Sequence, residues 1–195
     1  PSFIENEKKS LGIPLSVPVV CYVGAIRPWQ GLEILVESAS MIRDELGDVR
    51  FLIVGGGEWL SDLKAAAEEK GLRSVFTFTG SVPYERVPLM IALSDVCVAP
   101  FVRGRAASPM KVYEYMASGK PVVASRIPGL GFIAERKLGL LVTPETPEEL
   151  ARAAVRILRE PSSAGEIAAR ARKYVRENCS WPSVARRIMS LVREF

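Results

Sequence analysis

The residues with the most chemical content lie between Ser108 and Ser125, in the run Ser-Pro-Met-Lys-Val-Tyr-Glu-Tyr-Met-Ala-Ser-Gly-Lys-Pro-Val-Val-Ala-Ser. The run reads as a helix that opens at Ser108-Pro109, carries Lys111 and Glu114, and stops at Gly119 before a short apolar strand. Ser108 offers a side-chain oxygen to the first-turn amides, and Pro109 suits the first helical position because it lacks an N–H that would be orphaned there. Free amides and the positive end of the helix dipole gather at the same terminus, which favours an anion. Stepping about 100° per residue from Met110 puts Lys111 near ~100°, Glu114 near ~40° and Ser118 near ~80°. A cation at the helix start and a carboxylate one turn further on suit a phosphate and a vicinal diol. A nucleoside diphosphate presents both.

Alternating strand-like and helix-like segments must position that helix. Apolar runs at 17–23, 50–54, 75–79, 95–99, 121–124 and 139–142 are separated by helical spacing at 31–46, 59–70, 83–93 (where Pro88 must begin or kink the helix) and by the helix just described. Strands without polar alternation, joined by helices, indicate a parallel sheet covered on both faces. The expected fold is α/β, a doubly wound, Rossmann-like sheet of six strands in the order 3-2-1-4-5-6. Ligands bind beyond the carboxyl ends of such strands where the order reverses, here between the first and fourth. The loops leaving those strands are Gly24-Ala-Ile-Arg-Pro-Trp-Gln-Gly31 and Pro100-Phe-Val-Arg-Gly-Arg-Ala-Ala-Ser108, so Arg27, Arg103 and Arg105 compete with Lys111 for a phosphate. Residues 1–16 read as an entry segment with little core. Residues 145–195 read as helices only, with Thr146, Ser162 and Ser180 at or near their starts. The whole of 1–195 is expected to be one domain.

Composition removes several functions. There is no histidine, so neither a Ser-His-Asp triad nor a Cys/His zinc cluster can be built from this chain, and no metal site is expected. Three scattered cysteines, Cys21, Cys97 and Cys179, favour free thiols in a reducing, cytoplasmic setting. A net charge of +4 does not argue for nucleic acid, and no apolar run approaches the ~20 residues that span a bilayer. Gly55-Gly-Gly57 follows a strand, but Leu60 interrupts the dinucleotide fingerprint, which leaves a turn.

Four stretches together carry a family resemblance: 20–35, 51–57, 75–100 ending in Ser-Asp-Val-Cys-Val-Ala-Pro, and 108–129. The chain resembles the C-terminal, nucleotide-sugar-binding domain of glycosyltransferase family 4, retaining enzymes built from two Rossmann-like halves in the GT-B arrangement. The resemblance implies that Glu114 binds the ribose hydroxyls and that the backbone around Ser108, Pro109, Met110 and Lys111 holds the diphosphate and donor sugar. It implies that Gly24 lets the donor approach the first loop. The implied function is metal-independent, retaining transfer of a sugar from a nucleotide-diphosphate sugar, with UDP and GDP among the candidates, to an acceptor held by an N-terminal domain that this chain lacks. No cofactor besides the donor is implied, and any membrane contact would come through the parent enzyme. The chain departs from the family pattern at Ala25, Gln30 and Ala106, where an arginine, a lysine and a second glutamate are usual. A nucleotide-sugar epimerase or phosphorylase of the same fold, or a non-catalytic nucleotide-binding module, are the alternatives.

Overall fold

The computed structural model describes residues 2–104 and 109–193. In chain order, α1 (Phe3–Ser10) precedes β1 (Val19–Val23), α2 (Leu32–Leu46) leads to β2 (Arg50–Val54), and α3 (Leu60–Glu69) leads to β3 (Phe76–Gly80). Then α4 (Val87–Ala92) leads to β4 (Val96–Ala99), α5 (Met110–Ala117) to β5 (Val122–Ser125), and α6 (Gly131–Glu135) to β6 (Leu140–Val142). The helices α7 (Pro147–Arg159), α8 (Pro161–Asn178) and α9 (Trp181–Arg193) follow. The strands form one parallel sheet in the expected order, β3-β2-β1-β4-β5-β6.

Burial on both faces explains why the strand sequences do not alternate. Val20, Tyr22, Phe51, Ile53, Val96 and Val98 face a core with Leu35 and Ile42 of α2, Leu63 of α3 and Leu150 of α7. Their neighbours Val19, Cys21, Val23, Leu52, Val54 and Cys97 face a second core with Met90 of α4, Val112, Tyr115 and Met116 of α5, and Val175 of α8. Every residue of β1 is buried, and both Cys21 and Cys97 are free, buried thiols.

The entry segment holds more than its sequence reading gives it: α1, though none of its residues is buried, has a complete capping box between Ser2 and Glu5, and Ile13 is 2% exposed within the second core. The capping signal was readable at residues 2–5, but a short polar helix has no apolar stripe to announce it. The single turn α6 was also missed, for want of length. Ser162 lies in the first turn of α8, which opens one residue before it at Pro161, and Thr146 stands at the start of α7 as expected but without bonding its amides.

The sheet parts where it must make room. β1 pairs with β2 along its whole length but with β4 only at Val20↔Val96 and Cys21↔Cys97. At the amino end the Asp95 carboxylate accepts the Val19 amide at 2.8 Å. At the carboxyl end the Tyr115 hydroxyl, on α5, accepts the Val23 amide at 2.8 Å and donates to the Val23 carbonyl at 3.1 Å. One phenol thus supplies both partners that a longer β4 would have given, and it fixes α5 against β1. Gly31 closes the first loop: its φ is +69°, and a Cβ there would stand 1.8 Å from the Pro100 carbonyl oxygen. Tyr115→Phe should therefore destabilise the domain by about 1–3 kcal/mol, the cost of orphaning buried backbone groups, measured by urea unfolding. A variant as stable as wild type would remove the hydroxyl from this role.

Candidate functional site

The candidate crevice is the opening between the carboxyl ends of β1 and β4, where the polar contacts gather on Lys111. Its Nζ donates to Gln30 Oε1 at 2.6 Å and to the Tyr22 hydroxyl at 2.7 Å. It also stands 4.2 Å from the centre of the Tyr22 ring and 5.3 Å from that of Phe101, positions that favour a cation over a ring face. Tyr22 turns its own proton towards the Ala25 carbonyl at 2.9 Å or Gln30 Oε1 at 3.2 Å. Burial pushes the Tyr22 phenol well up from its ordinary value, so it stays protonated. Burial pulls Lys111 down to about 7, against the opposing pull of the nearby Glu114 charge. Among the described residues Lys111 has no salt-bridge partner.

The first loop meets this amine through bare backbone. A Cβ on Gly24 would stand 2.9 Å from Lys111 Nζ and 3.3 Å from the Tyr22 hydroxyl. The Gly55-Gly-Gly57 turn is the loop's other support: Cβ atoms on Gly55 and Gly57 would fall 2.0 Å from the Gly24 oxygen and 2.1 Å from the Ile26 oxygen. The Ile26 amide donates to Gly56 O at 2.9 Å. The turn reading of this triplet holds, and its glycines serve backbone contact.

Glu114 lies one turn along α5 and accepts a hydrogen bond from the Tyr84 hydroxyl at 3.0 Å. Tyr84 is 72% exposed, in the short turn after β3, and its bond to the carboxylate raises the phenol above its usual range. Pro109 is corrected by one position: it precedes the helix with φ −81° and ψ 25°, and Met110 is the first helical residue and exposed. The amides of Met110 and Lys111 are among the first-turn donors that a helix of this geometry leaves without intrahelical acceptors. Ser108, Arg105 and Ala106 lie outside the described residues, so the Ser108 cap and the Arg105 contact do as well.

The two candidate arginines among the described residues, Arg27 and Arg103, make other contacts. Arg27 lies 3.9 Å from Glu58 and 5.2 Å from the centre of the Trp29 ring, and Arg103 lies 3.7 Å from Glu145. All four charged side chains are about half exposed or more, so both pairs are weak and screened. Lys111 is thus brought into the crevice, whereas Arg27 and Arg103 are engaged at its rim. Gln30, one of the departures from the family pattern, accepts a hydrogen bond from Lys111 of α5. Sequence reasoning missed Tyr84, Tyr22 and Gln30 as partners. Tyr22 was legible in principle, as the polar-tipped residue of the first strand nearest its exit. Nothing in the sequence marked Tyr84.

A hollow of about 1060 Å³ opens at the opposite, amino edge of the sheet, beside Pro18, Asp95, Lys120 and Arg172. Its inner charges are already engaged, Lys120 by the Ala92 and Ser94 carbonyls and Asp95 by the Val19 amide. The switch-point crevice, with an amine that has no salt-bridge partner among the described residues, is the better candidate.

A doubly wound sheet whose order reverses between β1 and β4 defines a Rossmann-like domain, and α5 sets a cation and a carboxylate beside that switch point. Residues 3–177 match the glycosyl transferases group 1, and the chain belongs to that family. It is 33% identical over 160 residues to the 2-deoxystreptamine glucosyltransferase of Streptomyces kanamyceticus, across 81% of this chain and 41% of that protein. The sucrose-phosphate synthase of Thermosynechococcus elongatus superposes with a TM-score of 0.80 and 29% identity over 97% of this chain and 48% of its own. The Anabaena HepE protein, solved in complex with UDP, superposes at 0.87 with 22% identity over 100% of this chain and 53% of its own. The chain therefore spans about half, or less, of these proteins. Among the described residues no helix is long and apolar enough to cross a membrane.

The low proton affinity of Lys111 sets the sign of a stability effect. From about pH 7 to its ordinary value of 10.5 the unfolded chain binds this proton while the folded one has released it. Stability should therefore rise with pH across that window, by at most about 1.4 kcal/mol per pH unit, and this contribution should be flat below it. Lys111→Met should abolish the rise and be more stable than wild type at neutral pH. Urea unfolding from about pH 6.5 to about pH 9.5 measures both; identical profiles would show that the amine is not desolvated.

Proposed function

We propose that this chain is the donor-binding domain, 1–195, of a retaining glycosyltransferase that acts without a metal ion. It binds a nucleotide-diphosphate sugar and presents it to an acceptor held by an N-terminal domain of the same enzyme. The observation that carries this reading is the pairing on α5: the Lys111 amine inside the crevice and the Glu114 carboxylate one turn along. The distance between successive turns, about 5.4 Å, suits a diphosphate and the pentose attached to it.

Transfer requires that negative charge building on the departing diphosphate be stabilised while positive character develops on the sugar. Preorganised amides, a helix terminus and a cation do this where water is largely displaced. Met110 N, Lys111 N and Lys111 Nζ would serve the phosphates. Glu114, freed from Tyr84 or sharing it, would accept from the ribose hydroxyls. Retention of anomeric configuration is carried by the family resemblance. Gln30 takes the place of a loop cation by supporting one that arrives from α5.

Calorimetric titration with UDP, GDP and ADP tests the reading. Glu114→Ala should weaken binding of the preferred nucleotide by about 1.5–3 kcal/mol, the range for hydrogen bonds to charged groups, with the fold intact. An unchanged dissociation constant would take Glu114 out of the site. Failure of the wild-type domain to bind any of the three at millimolar concentration would refute the reading.

A further inference from the structure

Lys111 combines three observations that the binding role alone does not use. Its Nζ is packed against two aromatic rings, its two hydrogen-bond acceptors are neutral oxygens, and it has no ion-pair partner among the described residues. Among the described residues the groups that face it are few. From β1 comes the Tyr22 phenol, held protonated by burial. The first loop contributes Gln30, which is uncharged, while Arg27 is turned to Glu58. The segment after β4 contributes Phe101, with Arg103 turned to Glu145. On α5 itself, Glu114 supplies the nearby charge and is bonded to Tyr84.

Gln30 and Tyr22 accept N–H bonds from an amine and from an ammonium alike. The side chain is therefore held in place whichever form it takes, and its charge is free to respond to what enters the crevice. We propose that the crevice takes up its diphosphate together with one proton, carried on Lys111 Nζ, so that the ligand is selected by charge and its affinity is tied to pH. This rests on the diphosphate reading given above. The free amine is poised near neutrality, because burial lowers its proton affinity to about 7. Phosphate oxygens in its neighbourhood favour the ammonium and raise that affinity, so between the free and bound midpoints the proton comes from solvent. Affinity for the diphosphate then falls as pH rises through this interval. A neutral nucleoside lacks the charge that drives the uptake.

The test is calorimetric titration of the domain with UDP and with uridine between about pH 7.5 and about pH 8.5. In that range a terminal phosphate, whose second pKa is about 6, is already ionised. Titrations in two buffers of different ionisation heat count the protons. For wild type, UDP should bring a fraction of a proton to one proton with it, and its affinity should fall by up to about tenfold per pH unit. Uridine should bring none. Lys111→Arg, which keeps a permanent charge, should bind UDP without proton uptake and with a flat pH profile; Lys111→Met should bind it weakly and equally flatly. A wild type whose UDP affinity is flat, or whose slope persists in either variant, overturns the proposal and leaves the diphosphate reading standing. If wild type binds no nucleotide even at about pH 6.5, where the amine is charged, both fall together.

Discussion

The crevice exists because one phenol spans it. A parallel sheet cannot open between two strands without stranding backbone groups, and buried amides and carbonyls without partners are costly. β1 and β4 part after Cys21 and Cys97, and the Tyr115 hydroxyl meets the amide and the carbonyl of Val23 beyond that point. The same contact brings α5 down onto the end of β1, which sets where Lys111 and Glu114 stand. Packing energy and site geometry therefore share a residue. The helix presents its charged side to the opening because Val112, Tyr115 and Met116 are buried on the other.

The first loop is held as firmly from the opposite side. Its backbone touches the turn at Gly55 and Gly57 so closely that no side chain fits between them, and Gly31 seats the loop against Pro100. Loops built this way hold their position through carbonyl and amide contacts, which leave little room for adjustment. Against such a wall Lys111 is held by Tyr22 and Gln30, and what can change is its charge. Its desolvation costs the folded state stability, as residues placed for binding often do.

Much of this was legible in the sequence. Unbroken apolar runs such as 19–23 and 50–54 reported a sheet buried on both faces, and the alternation with helices made it parallel; the order of strands was expected from the doubly wound fold and is the one found. The helix bearing Lys111 and Glu114 was readable from its spacing and its glycine stop. Partners were harder to see. That Lys111 would find Tyr22 and Gln30 depends on contacts spanning more than eighty residues of chain, and Tyr84 meets Glu114 only because the turn after β3 folds over the opening. Arg27 and Arg103 show the same difficulty, because the carboxylates they meet, Glu58 and Glu145, lie on other segments of the chain. Helix α1 escaped notice because its cap is polar and its faces carry no buried residue.

The last helix stands apart from this economy of contacts. Ser183 is its one buried residue among those described, while Trp181, Ile188, Met189, Leu191 and Val192 lie exposed along it. Neither of the two cores includes a residue from α9. Opening it disturbs little apolar surface, so its amides exchange with solvent through local fraying, whereas those of β1 exchange only when the whole sheet comes apart. The domain thus carries a steep gradient of protection, lowest at its carboxyl-terminal tail and highest beneath the crevice.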